Sequence, residues 1–393
     1  MHLSHRILQI KPSATLSINA RAAELKAKGQ EVISLAAGEP DFQPPQHVLQ
    51  AVKEAVDAGC VRYTPVPGLP ELRQALAGAC SRQYGQDIAP NMTIATNGGK
   101  QGLYNLFQCL LDPGDEVLIP APYWVSYPDM VTLAQGTPVF IPSSPDKAFR
   151  ITPADLQAHL TDKTRILVLN TPSNPTGSHY SQAELDELIL WAVQHDVFVI
   201  SDEIYDQLVY PPAQPASAGQ WLTRHPELIA VCNGLSKTFA MTGWRMGYVI
   251  SHPDLIAKLS TLQGQSTSNV CVLVQKAAVA ALQGPTDFLQ HHREIFQKRR
   301  DLCLEHISSW PGVQCPRPDG AFYLFPRMDE VYTQDIPDST ALCTYLLDKA
   351  QVALVPGVAF GDDRCLRISY ALDEATLIQA LDRIKAALAP LSA

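Results

Sequence analysis

Between residues 93 and 250 short apolar runs alternate with stretches of helical spacing. The runs at 93–96, 117–119, 139–141, 166–169, 197–200, 228–231 and 248–250 are rich in β-branched residues and too short for helices. Between them, stretches such as 100–111 (Leu103, Leu106, Phe107, Leu110) and 181–194 repeat their apolar positions every three to four residues. This alternation predicts an α/β fold on a largely parallel sheet. Upstream, helical spacing covers 18–28, 47–58 and 71–84, with a short strand at 32–35. From about residue 286 the pattern changes to a long charged helix over 288–309, then strands and helices over 339–350, 352–355, 365–370 and 373–388. That region reads as a second, smaller α+β domain.

Ligands on open parallel sheets bind beyond the carboxyl ends of the strands. Three polar clusters fall there: 170–177 (NTPSNPTG), 201–205 (SDEIY), and the turn after 228–231 that contains Lys237. A lysine held by packing at a strand end is partly desolvated, which favours its neutral, nucleophilic, Schiff-base-forming state. Eight residues on, Arg245 stands between Trp244 and Gly247, where small neighbours let a guanidinium approach an oxyanion. Together the two point to pyridoxal phosphate (PLP), although taken singly each is more simply a surface residue.

Further candidates fit the same chemistry. Asp202 suits the protonated pyridine nitrogen, or a helix N-cap. Tyr205 and Asn174 suit the phenolic oxygen, or a satisfied core hydroxyl and a turn before Pro175. Trp124 suits stacking on the ring, or plain core packing. The Gly98-Gly99 turn between strand and helix offers free N–H groups to a phosphate, and Gly38 marks a tight turn with an accessible N–H. Arg367, on a predicted buried strand, needs a partner, which is either structural or a substrate carboxylate.

Composition narrows the class. A formal net charge of −9 argues against broad binding to nucleic acid or anionic membranes. The nine cysteines are scattered without a C-x-x-C pair, as expected of reduced thiols in a cytoplasm and not of a zinc site or disulfide frame. No apolar run approaches the roughly 20 residues a membrane helix needs. The basic first residues lack an apolar signal core and read as an ordered N-terminal arm.

In order along the chain stand KPSAT, AAGEPDF, NGGKQGLYN, APYWVSYPDM, NTPSNPTG, SDEIYD, NGLSKTFAMTGWRMGY, DGAFY and LRISYA. On these motifs the sequence resembles the fold type I PLP aminotransferases of class I, within the subgroup of bacterial aspartate and aspartate/prephenate aminotransferases. The resemblance implies a large domain over about 46–285 with a mixed, mostly parallel seven-stranded sheet. It also implies an arm plus part of the small domain over 1–45, and the rest of the small domain over 286–393. It further implies Lys237 as the cofactor-linked lysine, Asp202 on the pyridine nitrogen, Asn174 and Tyr205 on the phenolic oxygen, and Trp124 on the ring. The phosphate would lie on Gly98, Gly99, Ser236, Arg245 and, from the second subunit of a homodimer, Tyr63. Gly234 stands where more distant relatives have serine. The substrate α-carboxylate would meet Arg367, Asn174 and Gly38. Lys100 would read the distal carboxylate, with Lys11, Ser13 and Thr15 closing over the substrate.

The function so implied is reversible transfer of the amino group of L-aspartate to 2-oxoglutarate. Preference for prephenate or an aromatic amino acid is the alternative within the same chemistry. A PLP β-lyase or decarboxylase, and a PLP-sensing regulator, are the alternatives outside it. No metal is expected.

Overall fold

A computed structural model describes residues 1–10, 12 and 14–391, with the backbone alone at 14–16 and 19. Its strands in chain order are β1 (Ile33–Ser34), β2 (Thr93–Thr96), β3 (Glu116–Ala121), β4 (Thr137–Pro142), β5 (Thr164–Asn170), β6 (Phe198–Asp202), β7 (Ile229–Gly234), β8 (Gly247–Ile250), β9 (Tyr323–Leu324), β10 (Val352–Ala353), β11 (Val355–Pro356) and β12 (Leu366–Ser369). Seven form one sheet in the order β2-β8-β7-β6-β5-β3-β4. From β7 to β4 every pairing is parallel, and β8 runs against both its neighbours. The sheet is therefore mixed and mostly parallel, as expected.

Successive residues of an inner strand enter opposite layers, which is why these strands are apolar throughout. In β5, Leu167 and Leu169 join one buried cluster with Val199 and Val231, while Ile166 and Val168 join another with Ile119 and Ile200. Each such side chain, fully buried, stabilises the fold by about 1.5–3 kcal/mol. Helices Gly99–Leu110 and Pro253–Gly264 cover one face and Gln46–Asp57, Pro70–Tyr84 and Val272–Gln283 lie together on the other. The helix Gln182–Gln194 starts at a capping box, in which Ser181 and Glu184 satisfy each other's backbone N–H groups.

The C-terminal region builds its own cluster, including Phe296, Leu342, Leu346, Ile368, Leu381 and Ile384. Leu35 belongs to the same cluster, and β1 pairs in parallel with β10, so both chain ends contribute. The long helix Phe288–Ile307 carries Arg299, which grips the Asp41 carboxylate bidentately at 2.7 and 2.8 Å and lies over the rings of Phe42 and Phe296. That contact fastens the segment following Gly38 to this helix.

Most expected ranges shift by one to four residues at their ends, and two departures change the pairing. The run at 228–231 continues as strand through Gly234, because Asn233 and Gly234 pair with Tyr248 and Gly247 of β8. The expected strand 352–355 is two short strands with different partners, β10 on β1 and β11 on β12. Among the described residues, no helix is long and apolar enough to cross a membrane.

Candidate active site

β5, β6 and β7 are adjacent parallel strands, so Asn170, Asp202 and Gly234 end side by side on one edge of the sheet. A cavity of about 290 Å³ opens there. Of the expected residues, Gly38, Gly99, Lys100, Trp124, Asn174, Asp202, Tyr205, Ser236, Lys237, Arg245 and Arg367 line it. Gly98 does not line it but packs beneath Arg245, and Tyr63 is elsewhere, 92% exposed. Lys11 and Ser13 lie outside the described residues. Thr15 sits within the helix Ala14–Ala27, with only its backbone described.

Lys237 follows β7 by three residues, and its ammonium donates to the Gly38 carbonyl. Burial pushes its pKa down to about 8, against the opposing pull of Glu39. Asp202 is the last residue of β6 and its pKa is pushed up to about 6 by burial. The Tyr127 hydroxyl at 2.6 Å and the Ile204 N–H at 3.3 Å donate to its carboxylate and limit that rise. Asn170 uses both ends of its amide: Nδ2 donates to the Asp202 carbonyl and Oδ1 accepts the Asn174 N–H, each at 2.9 Å. The Tyr205 and Tyr323 hydroxyls share a hydrogen bond of 2.9 Å.

Arg367, in β12, is buried. It donates to Asn174 Oδ1 at 2.9 Å and to the Ala36 carbonyl at 2.8 Å, and its guanidinium lies over the rings of Tyr323 and Phe360. Its Nε is buried without a hydrogen-bond partner. A buried donor left unpaired costs about 1–3 kcal/mol, so an acceptor brought to Arg367 would be favoured.

On the other side of the cavity the chain makes an anion cradle. Gly98 adopts φ +84°, which opens the N-terminus of the helix Gly99–Leu110. A Cβ on Gly98 would lie 2.3 Å from Arg245 Nη2, and one on Gly247 would lie 2.3 Å from the Gly98 backbone. Arg245, itself left-handed at φ +60°, donates from Nη1 to the Thr242 carbonyl at 2.7 Å. Gly234 is dictated by the same packing, since its Cβ would meet the Met246 carbonyl at 2.8 Å. Lys100 is exposed, its Nζ 4.9 Å from the centre of the Trp124 ring. Although the side chain is accessible, its position in the cavity mouth partly desolvates the ammonium, and this, then Arg245, lowers its pKa against the pull of Asp129.

The lining thus carries four cations (Lys100, Lys237, Arg245, Arg367) against one carboxylate, Asp202, in a chain whose net charge is −9. The donor set fits PLP. A glycine turn at a helix N-terminus with a guanidinium suits the phosphate, a carboxylate suits a ring nitrogen, and an amine of lowered pKa suits a carbonyl carbon. Among the described residues no cluster of metal-ligating side chains is present.

The lowered Lys237 pKa predicts a measurable pH effect on the cofactor-free chain. Its folded pKa of about 8 lies below the ordinary 10.5, so the cost of burying the charge is full below pH 8. That cost fades as pH rises from 8 through 10.5, above which folded and unfolded lysines are both neutral. Lys237→Met is expected to stabilise the cofactor-free chain by about 2–3 kcal/mol near pH 7, allowing for screening by cavity water. Urea denaturation near pH 7 and pH 10 checks this: the gain should shrink at the higher pH, and a pH-independent gain would contradict the assignment.

Several contributors carry no signal in the sequence. Tyr127 and Tyr323 act across long separations, and each sits inside a quoted motif (APYWVSYPDM, DGAFY) without a local signal for its partner. The Thr242 hydroxyl, which donates to Glu39 at 2.5 Å, and the Ala36 carbonyl were equally silent.

The family model for aminotransferase class I and II matches residues 30–384. The chain is 43% identical to an aspartate/prephenate aminotransferase of Cereibacter sphaeroides, covering 99% of each chain. It is 41% identical to an aspartate aminotransferase of Bacillus subtilis, covering 98% of each. Among solved structures, the aspartate aminotransferase of Thermus thermophilus with maleate superposes with a TM-score of 0.94 at 40% identity, over 98% of this chain and 100% of that one. With the whole chain matched and the cavity furnished for the cofactor, this protein belongs to the class I and II aminotransferases, enzymes that depend on pyridoxal 5′-phosphate.

Proposed function

We propose that the chain catalyses reversible transfer of the amino group of L-aspartate to 2-oxoglutarate, giving oxaloacetate and L-glutamate. The observation that carries this reading is the cavity's excess of cations. A phosphate and two substrate carboxylates together call for three separate positive groups beside the reacting amine, and Arg245, Arg367 and Lys100 supply them.

When bound, PLP supplies an electron sink for the pair left at the substrate α-carbon on loss of its proton. The chain's own residues do the rest. Arg367, already aligned by Asn174 and Ala36, has the unpaired Nε and planar fork to take the α-carboxylate. The pKa of Lys237 is lowered to about 8, so its Nζ gives up its proton far more readily than an ordinary lysine and, once neutral, can take the α-proton and later return one to another carbon. Asp202, ionised above about pH 6 and steadied by Tyr127, holds a proton on the ring nitrogen. Asn174 and Tyr205 would serve the phenolic oxygen, Trp124 would stack on the ring, and Gly98, Gly99, Ser236 and Arg245 would hold the phosphate.

In the same reading Lys100 receives the distal carboxylate, with Gly38 beside the substrate and the segment holding Lys11, Ser13 and Thr15 closing over it. Closure would bring the region over 286–393, with 1–45, towards the one over 46–285. A homodimer in a cytoplasm completes the picture. Two observations support it: all nine cysteines are free thiols, and Tyr63 protrudes from a loop that is itself firmly held. Gln275 accepts from the Leu69 N–H at 2.7 Å and donates to Thr64 Oγ1 at 2.8 Å, while Gln263 donates to the Val66 carbonyl at 3.2 Å. An exposed tyrosine on a pinned loop suits a contact with a partner's phosphate site.

Prephenate, also a dicarboxylate, is the second acceptor class. It is favoured by the name of the Cereibacter relative and compatible with Lys100. Comparing kcat/KM for aspartate, glutamate, prephenate and phenylalanine tests the reading. Aspartate and glutamate far above phenylalanine support it, and phenylalanine ahead of aspartate would overturn it. Lys100→Ala should lower kcat/KM for dicarboxylates roughly 10–100-fold and leave phenylalanine near its original value. Equal losses for both classes would show that Lys100 does not read the distal carboxylate.

A further inference from the structure

The turn after β6 presents two faces. Asp202 and Tyr205 line the cavity, whereas Glu203 and Asp206 line no part of it and are buried beneath it. Glu203 is satisfied locally, accepting from Ser217 Oγ at 2.6 Å, Ser201 Oγ at 2.9 Å and the Ala218 N–H at 2.9 Å. Asp206 reaches further. Its Oδ2 accepts from Gln83 Nε2 at 2.7 Å, Asn233 Nδ2 at 3.0 Å and Gln207 Nε2 at 3.3 Å. These amides oppose the upward push of burial on the Asp206 pKa.

The Asn233 contact has consequences along the chain. Asn233 Oδ1 accepts the Gly234 N–H at 2.6 Å, at the end of β7 and three residues before Lys237. Gly234 pairs with Gly247, and Gly247 abuts Gly98 and Gly99 so closely that a Cβ would collide with their backbone. One buried carboxylate therefore stands where the Asp202–Tyr205 turn, the Lys237 turn and the phosphate cradle converge. Gln83, by contrast, comes from the far helix Pro70–Tyr84 and bears on none of these segments.

We propose that Asp206, acting through Asn233, is a positioning residue that fixes the Asp202–Tyr205 turn against the Gly234–Lys237 segment. The spacing between the Asp202 carboxylate and the Lys237 amine is then set from below. The proposal rests on the roles given above to Lys237 and Asp202. No step of the reaction passes through Asp206.

The test uses the full chain and three variants, Asn233→Ala, Asp206→Asn and Gln83→Ala. The readouts are the dissociation constant of added PLP, the pH midpoint of the visible cofactor band, and the thermal midpoint of the cofactor-free protein. Asn233→Ala should weaken PLP binding roughly tenfold or more, the effect of one hydrogen bond to a charged group, and should move the pH midpoint. Asp206→Asn keeps an acceptor oxygen for Asn233 and should stay within about threefold of the unaltered chain. Gln83→Ala removes a bond to the same carboxylate, so it should lower the thermal midpoint comparably while leaving PLP affinity and pH midpoint unchanged. If Asn233→Ala fails to fold, Asn233→Ser serves the same comparison. Equal effects of the Asn233 and Gln83 variants on every readout, or unaltered PLP affinity in Asn233→Ala, would overturn the proposal. Failure of the unaltered chain to bind PLP would instead overturn the reading of Lys237 and Asp202 on which it rests.

Discussion

Lys237→Ala is expected to lower turnover by about 10⁴-fold or more, the upper end of what a positioned proton-transfer group contributes. No neighbour can replace it. The other cations of the cavity are two guanidinium groups, which do not give up a proton near neutral pH, and Lys100, which is held towards Trp124. The fold should survive. The side chain donates a hydrogen bond to the Gly38 carbonyl, and its desolvated charge is a cost to the cofactor-free protein at neutral pH, not a support. Steady-state kinetics with circular dichroism and thermal melting separate the two effects. Turnover near that of the unaltered chain would remove Lys237 from the chemistry.

Arg367→Ala should reduce kcat/KM for every amino acid roughly 10²–10³-fold, because all share the α-carboxylate. The loss should be indifferent to the side chain of the substrate, in contrast to Lys100→Ala. Some stability goes with it, since the guanidinium also holds Asn174 and Ala36 and covers the rings of Tyr323 and Phe360. PLP affinity is therefore the necessary control, and it should change little. Arg367→Lys keeps the charge but not the planar fork, and should recover only part of the loss. A uniform collapse of PLP binding and catalysis together would mean that Arg367 acts as a structural residue.

These expectations draw on a site that was only partly readable along the chain. β2 and the helix Ser339–Ala350 lie where spacing put them, because a buried strand and an amphipathic helix write their period into the sequence. Lys237, Asp202 and Asn174 were legible because parallel strands deliver their C-terminal residues to a common edge, so strand ends could be examined for chemistry. The last residues of β7 were not, since Asn233 and Gly234 carry no apolar signal and are strand only through pairing with β8. Likewise β10 and β11, two residues each, are too short for a period. Tyr127 on Asp202, Tyr323 on Tyr205 and Arg299 on Asp41 are separated by 75, 118 and 258 positions. Such pairings are decided by the packing of whole elements, and no local pattern encodes them.

The central claim is that Lys237 and its surroundings run two half-reactions with dicarboxylic substrates on one cofactor. The most direct test is spectrophotometric. The visible spectrum of the purified protein with PLP is recorded, then recorded again after aspartate is added, and again after 2-oxoglutarate is added. The visible cofactor band should fall with aspartate and return with the keto acid. A band unmoved by aspartate, or no band after reconstitution with PLP, would contradict the account.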